Sequence, residues 1–300
     1  MKQRAILLAF LIATALYSQP KVRPLHTRDL TRLSQPQVVA QLLQSDVIFV
    51  PVGAVETNGI EPSGRDYVYA EAFAKSMAEE TGGLHVPGLM WSYPGTTIPA
   101  AATINMTPHG GVVFLKELAR SLLRQGFRRQ VYVSYSHGPA ALTAGTLVRE
   151  FFDETRVPIL YINMDTYLPR LNLKPTDRDR VLYGAHQITA RLEDLALKGE
   201  YAASPDPHLP PNTGLAALGR LGFSGSLALG SWINDAMAHG VGAREMPTDT
   251  TERETWGQRG AAQIRSIVGR MSLPQAMLAL REHDKYTQEV IAPRLKVYLP

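Results

Sequence analysis

The stretch at residues 47–66, VIFVPVGAVETNGIEPSGRD, limits what this chain can fold into more than any other part of it. Val47, Ile48, Phe49, Val50 and Val52 form a nearly unbroken apolar run, the pattern of a strand covered on both faces. The run breaks at Gly53 into a polar turn carrying Glu56, Asn58, Glu61 and Asp66. In an open α/β sheet, ligands bind beyond the carboxyl ends of the strands, so carboxylates that follow a buried strand are candidates for chemistry.

The flanking sequence repeats the alternation. Ser34 and Gln37 have capping-box spacing, which predicts a helix over 35–44 that feeds the strand at 46–52. Tyr69, Ala72, Phe73 and Met77 then recur at helical spacing through 67–80, and Gly82-Gly83 stop that helix. A short strand at 84–87 follows, then a helix marked by Val112, Leu115, Ala119, Leu122 and Leu123 and closed by Gly126. Next come a strand at 130–134 and a helix from Pro139 to about 154, proline being well suited to the first helical position. A strand at 157–163, a helix at 179–197 and closing helices at 251–271 and 274–292 complete the pattern. Alternating strands and helices predict an α/β fold, three-layer α/β/α with a mostly parallel central sheet. The Pro- and Gly-rich segment 202–230 breaks the rhythm and reads as a lid, a binding loop or an interface arm. No linker divides residues 19–300, which are read as one domain.

The first eighteen residues differ in kind. Lys2 and Arg4 precede an apolar run at 5–16 that is short for a membrane span, and Ala13-Thr14-Ala15 is a small-x-small cleavage pattern. This reads as a secretory signal over 1–18, with a membrane anchor or a first core helix as the alternatives, and the mature chain is then periplasmic or secreted, with no membrane attachment once the signal is cut. Removing Lys2 and Arg4 from the 31 basic residues leaves 29 against 27 acidic, too even a balance for a nucleic-acid footprint. The chain has no cysteine, which excludes disulfides, thiolate metal sites, a lipidated cysteine and a cysteine nucleophile together.

Glu56, Asp66 and His137 are the residues to join. His137 lies just past the strand at 130–134, and two carboxylates with an imidazole suit zinc, manganese or a similar divalent ion. The plainer alternative makes Asp66 only the N-cap of the next helix, Glu56 a turn stabiliser and His137 a satisfied polar residue at a helix start. A serine hydrolase would rest on Ser136 beside His137, but no G-x-S-x-G elbow is present.

Four segments extend the argument: VPVGAVETNGIEPSGRD, YPGTT at 93–97, GFRRQVYVSYSHG at 126–138 and GVGAREMPTDTTERETWGQRG at 240–260. In type, order and spacing they resemble the creatininase family. The resemblance implies a three-layer α/β/α amidohydrolase with two adjacent divalent metals, usually a hexamer, that cleaves C–N bonds of cyclic or simple amides. Its first motif supplies a Glu, a His two residues later and a bridging Asp. Here Glu56 and Asp66 match, with one residue fewer between them, and Asn58 stands at the His position. In the second motif His137 matches, but Pro139 stands where the family has Glu. A later His and Glu pair matches loosely to Tyr183 and Ile188, with an imidazole instead at His186.

The expectation is therefore an exported metal-dependent amidohydrolase with one divalent ion (Zn or Mn) on Glu56, Asp66 and His137, the second site lost. His186 is the candidate catalytic residue, as general base or substrate ligand, with a structural role on its helix as the alternative. Tyr93 and Tyr183 are assigned to substrate binding, and Trp91 and Trp232 could add to an apolar wall. Glu61 reads as a solvated turn residue, with reach into the vacant second site as the alternative. The partners expected are a small-molecule substrate and further copies of the chain, with no nucleic acid. The competing function is a non-catalytic binding protein that keeps the fold. Export has a direct test: in a Gram-negative host, mass spectrometry should find a mature N-terminus between Leu16 and Gln19, and an intact Met1 on soluble cytoplasmic protein would refute the signal.

Overall fold

The computed structural model describes residues 23–58, 61–88, 102–104, 106–135, 139–172, 175–200 and 245–295. The run Val47–Val52 (β1) is buried at every position, as a strand covered on both faces requires. It pairs in parallel with Leu84–His85 (β2) on one side and Arg129–Ser134 (β3) on the other. Leu160–Asn163 (β4) pairs in parallel with β3, giving the order β2-β1-β3-β4. Helix α1 (Gln35–Leu42) leads into β1, α2 (Arg65–Thr81) joins β1 to β2, α3 (Pro108–Gln125) precedes β3, and α4 (Pro139–Thr155) joins β3 to β4. Helices α5 (Pro175–Ile188), α6 (Thr250–Gly269) and α7 (Leu273–Tyr286) follow.

Alternate strand residues supply two cores. Val47, Phe49, Val131 and Val133 pack with Phe73 and Met77 of α2, Leu182 of α5, Ile264 and Ile267 of α6 and Met277 of α7. Ile48, Val50, Val52 and Tyr132 pack on the opposite face with Leu115, Ala119 and Leu122 of α3 and Leu147 and Phe151 of α4. Successive strand side chains point to opposite faces, so a run without a polar position needs both faces covered. The result is the expected three-layer α/β/α arrangement around a parallel sheet.

The boundaries differ where local chemistry intervenes. The helix expected over 179–197 begins at Pro175 and ends at Ile188. There the Thr189 hydroxyl donates to the Ala185 carbonyl (2.9 Å), Ala190 takes a left-handed φ of 56°, and the Arg191 N–H closes on the His186 carbonyl (2.8 Å). Helix α3 starts at Pro108, before its apolar stripe, because the Thr107 side chain caps the Gly110 N–H at 3.0 Å. Val157 and Ile159 are buried without pairing, so the fourth strand is only Leu160–Asn163. The last helix passes through a π turn at Thr287–Ile291 rather than running straight. The signal segment and the 202–230 loop lie outside the described residues. Among the described residues no helix is long and apolar enough to cross a membrane.

Helices α5 and α6 meet backbone to backbone. A Cβ built on Gly184 would lie 2.1 Å from the Gly260 carbonyl carbon, and one on Gly260 would lie 1.9 Å from the Arg180 oxygen. Gly260→Ala should therefore cost about 1–3 kcal/mol or more, because backbone cannot rotate out of the way. The urea midpoint should fall accordingly, whereas Gly145→Ala, with nothing within 4 Å of the new Cβ, should leave it level or raise it slightly. Equal midpoints for the two variants would contradict the close crossing.

Candidate active site

From β1 the chain moves out to β2 and then returns past β1 to β3. Loops leaving β1 and β3 therefore diverge at their carboxyl ends and open a crevice, the place where such sheets take ligands. Val52 pairs with Ser134 in the last register position, so the segments leading to Glu56 and His137 leave the sheet at the same edge. His137 itself lies outside the described residues, as does Tyr93. Tyr135, which follows β3, stacks on Tyr69 of α2 with centroids 3.9 Å apart and planes at 7°. That contact ties the exit of β3 to the helix turn just beyond Asp66.

The β1–α2 loop is folded tightly against the helix it leads into. A Cβ on Gly53 would lie 2.4 Å from the Tyr67 Cα, so only glycine lets the strand end pass over the start of α2. The loop then doubles back, with the Glu56 N–H donating to the Ser63 carbonyl (2.9 Å) and the Glu61 N–H to the Asn58 carbonyl (3.2 Å). Asn58, 1% exposed, staples the fold-back by donating from Nδ2 to the carbonyls of Glu56 (3.1 Å) and Ser63 (3.5 Å). Two carbonyl acceptors decide which end of the amide is the donor. Its Oδ1 is buried and has no hydrogen-bond partner.

Glu56 and Asp66 are both buried. Asp66 is not the N-cap of α2: Gly64 holds that position, and Asp66 sits in the first turn, where the helix dipole favours a carboxylate. Arg65 donates to the same Asp66 oxygen, Oδ1, from Nε and Nη2 (3.3 Å each), and from Nη1 to Glu61 Oε2 at 2.7 Å. Burial opposes the Arg65 charge, but the carboxylates of Asp66 and Glu61 outweigh it and raise its pKa. Glu61 is thus not a solvated turn residue: its side chain is 8% exposed and clasped by Arg65. Arg65 was missed in the sequence, although it stands four residues after Glu61 and immediately before Asp66, a spacing that invites pairing. Among the described residues no three His, Asp or Glu side chains converge closely enough to hold a metal. An ion on Glu56 and Asp66 would take its third ligand from outside them, where His137 stands.

His186 of α5 is fully buried. Its Nδ1 lies 3.1 Å from the Leu182 carbonyl, an acceptor only, so Nδ1 carries the hydrogen and Nε2 keeps a lone pair, which has no partner. Burial, the main cause, holds the imidazole down to about 4. Tyr183, nearly one turn earlier, is buried and meets Trp256 of α6 edge-on at 5.1 Å. Ile188, the last residue of α5, offers no donor.

Comparison with known proteins gives these positions a context. The family model for creatininase, creatinine amidohydrolase, matches residues 31–191. A 3-dehydro-scyllo-inosose hydrolase from Thermotoga maritima is 25% identical over 137 residues, which are 45% of this chain and 43% of that protein; the match spans less than half of that relative. A tryptophan-to-phenylalanine variant of creatininase superposes with a TM-score of 0.52 at 16% identity, over 83% of this chain and 99% of that one. A glutamate-to-glutamine creatininase variant of Zn–Zn type (TM-score 0.50, 15% identity, 83% and 99% covered) and a manganese creatininase (TM-score 0.50, 15%, 83% and 99%) are alike in the same way. At these identities the likeness establishes the fold.

The state of His186 makes stability depend on pH. The unfolded chain takes up a proton near the ordinary imidazole value of 6.5, whereas the folded chain does so only near 4. Between those values the unfolded state binds more protons, so stability is full above about pH 6.5 and falls as pH drops towards 4, by about 3 kcal/mol at most. The imidazole of His85, likewise lowered by burial, adds loss in the same direction. His186→Gln should therefore narrow the gap between urea midpoints measured at about pH 4.5 and about pH 7.5. An unchanged gap would show that His186 is not held neutral.

Proposed function

The chain belongs to the creatininase (creatinine amidohydrolase) family of amidohydrolases, and from that premise we propose that it is an exported, metal-dependent hydrolase of a C–N amide-like bond in a small substrate. The observation that carries this reading is the pair of buried carboxylates, Glu56 and Asp66, beyond β1 at the point where the order of the parallel sheet turns back on itself. Two carboxylates with the imidazole of His137 are a donor set for one zinc or manganese ion. Arg65 takes only Oδ1 of Asp66, which leaves its other oxygen for such an ion. At the positions where the family resemblance expects donors for a second ion, Asn58 uses its amide nitrogen on the loop, Pro139 has no side-chain donor, and Ile188 has none. A bound divalent ion would polarise the scissile carbonyl and bring the pKa of a water towards ~7.

The chain's own groups suit an amide. Arg65 has five N–H groups, and three hydrogen bonds to Glu61 and Asp66 are formed. Arg65 is the donor proposed for a substrate carbonyl, and Asn58 Oδ1, without a hydrogen-bond partner, the acceptor proposed for a substrate N–H. His186, neutral above about 4, brings an Nε2 lone pair in the role of base or substrate ligand, and Tyr183, with Tyr93 from outside the described residues, is the candidate for substrate binding. The mature chain acts in the periplasm or outside the cell as a homo-oligomer, a hexamer by family resemblance. A second reading, a binding protein without catalysis, is favoured by Arg65, since the site already holds a cation of its own.

Elemental analysis after dialysis against zinc or manganese, with hydrolysis assayed on a panel of amides and lactams, decides between them. Wild type should retain a single ion per chain and hydrolyse a panel member, Asp66→Ala should retain none, and His137→Ala should lose metal and activity together. Metal content near two per chain would refute the count, and unchanged content in Asp66→Ala would refute the site. A chain that carries no metal and cleaves nothing with any divalent ion added would be a binding protein.

A further inference from the structure

The segment before α1 is stitched to the molecule along its length. The side-chain amide of Gln37 donates to the carbonyls of Arg23 (3.2 Å) and Pro24 (3.3 Å). Arg28 donates from Nη1 to Gln41 Oε1 (3.2 Å) and to the Gly82 carbonyl (2.7 Å), where Gln41 Nε2 also donates (2.8 Å). The His85 N–H donates to the Arg28 carbonyl at 2.9 Å. Gln37 and Gln41 are both buried, and holding this segment is what their amides do. The segment thereby becomes a fixed wall facing α2, and between the two lies a cavity of about 460 Å³. Residues 25–28 with Arg32 line one side of it, and Lys75 and Glu79 of α2 the other.

The lining is rich in donors. Arg28, Arg32 and Lys75 carry positive charge, His26 and Thr27 can donate further hydrogen bonds, and Glu79 is the acidic residue among them. The bonds that fix two of the cations go to uncharged groups: Arg28 to the Gln41 amide and the Gly82 carbonyl, and Lys75 Nζ to the Ile188 carbonyl at 3.0 Å. Neutral acceptors hold a cation in place without neutralising it. Two further carboxylates stand in this region, and both are engaged: Asp29 Oδ1 accepts from the Thr31 N–H (2.8 Å) and hydroxyl (2.6 Å), and Glu71 Oε2 faces Arg191 at 3.8 Å.

We propose that this cavity is a second ligand site, apart from the candidate active site, and that it takes a small organic dianion, either a phosphate monoester or a dicarboxylate. Lys75 follows Asp66 by nine residues on one helix, which sets it about 13 Å further along the axis. A guanidinium and an ammonium held by the fold present N–H groups that match the oxygens of either anion, and donors fixed beforehand lose little freedom on binding. The volume lies in the range of small-molecule sites, about 300–1,000 Å³, and is more than a bare phosphate fills. The ligand therefore carries an organic part, with Leu25 as an apolar contact and Glu79 as acceptor for a hydroxyl. Nothing in this cavity depends on the hydrolase reading.

Isothermal titration calorimetry of the full chain with glucose 6-phosphate, succinate and glucose tests the site. At least one of the two anions should bind with a Kd below about 1 mM while glucose does not, and the anion that binds identifies the headgroup. Arg32→Gln and Lys75→Gln, each folded by circular dichroism, should weaken that binding about fivefold or more. Arg281→Gln, which removes an exposed cation from α7, should leave it unchanged. Arg32 is exposed and makes no side-chain hydrogen bond among the described residues, so its removal leaves the fold intact, and Lys75→Met stands in for Lys75→Gln should the latter not fold. The inference is overturned if neither anion binds more tightly than glucose, if either cavity variant keeps wild-type affinity, or if Arg281→Gln weakens binding as much as they do.

Discussion

The register of β1 against β3 is the constraint on which the rest depends. Six paired positions, from Val47 with Arg129 to Val52 with Ser134, set the alternation of side chains between the two cores. A slip by one residue would turn Val47, Phe49, Val131 and Val133 from one helical layer to the other. It would also separate the two strand ends from which the loops of the site depart. Packing and chemistry thus share one set of pairings: the register that seats these side chains in the two cores also sets the strand ends of β1 and β3 side by side.

The loop that follows β1 faces a problem of buried charge. An ion pair taken out of water gains little over apolar packing, because desolvation offsets its attraction, but losing one partner is expensive, about 3–5 kcal/mol. The group of Arg65, Glu61 and Asp66 is therefore weak evidence for stability and strong evidence for a fixed geometry. Asn58 and Gly53 hold the same loop by other means, a side-chain staple and a close backbone approach. Orphaned polar atoms cost about 1–3 kcal/mol each, and Asn58 Oδ1 and His186 Nε2 are both of this kind. Orphaned atoms alone do not mark a site, since His85 Nδ1, Glu71 Oε2 and Thr287 Oγ1 share the property. What separates Asn58 is its place beyond the carboxyl end of β1.

How far the sequence could be read follows from the range of the forces involved. The strand at β1 and the helix after it were legible because burial on both faces and a 3.6-residue repeat leave local marks. Gly82 and Gly126 were legible as helix ends, and both adopt left-handed φ, 69° and 104°. The end of α5 at Ile188 was not, because Thr189 and Ala190 carry no strong stop and the hydrogen bonds that close the helix form only in three dimensions. Glu56 and Asp66 were found because carboxylates after a buried strand are conspicuous. Arg65 was passed over because a basic residue at a helix start reads as surface until its two partners are seen to be buried. The crossing of Gly184 and Gly260 is a contact across 76 positions of chain, beyond any local pattern.

Asn58, Pro139 and Ile188 stand where the family resemblance leads one to expect an imidazole or a carboxylate. A buried carboxylate needs a compensating charge or hydrogen bonds, and Arg65 supplies them to Glu61 and Asp66 at once. Glu56 and Asp66, both buried, follow β1 at the point where the order of the sheet turns back, which is where a parallel sheet of this kind takes a ligand.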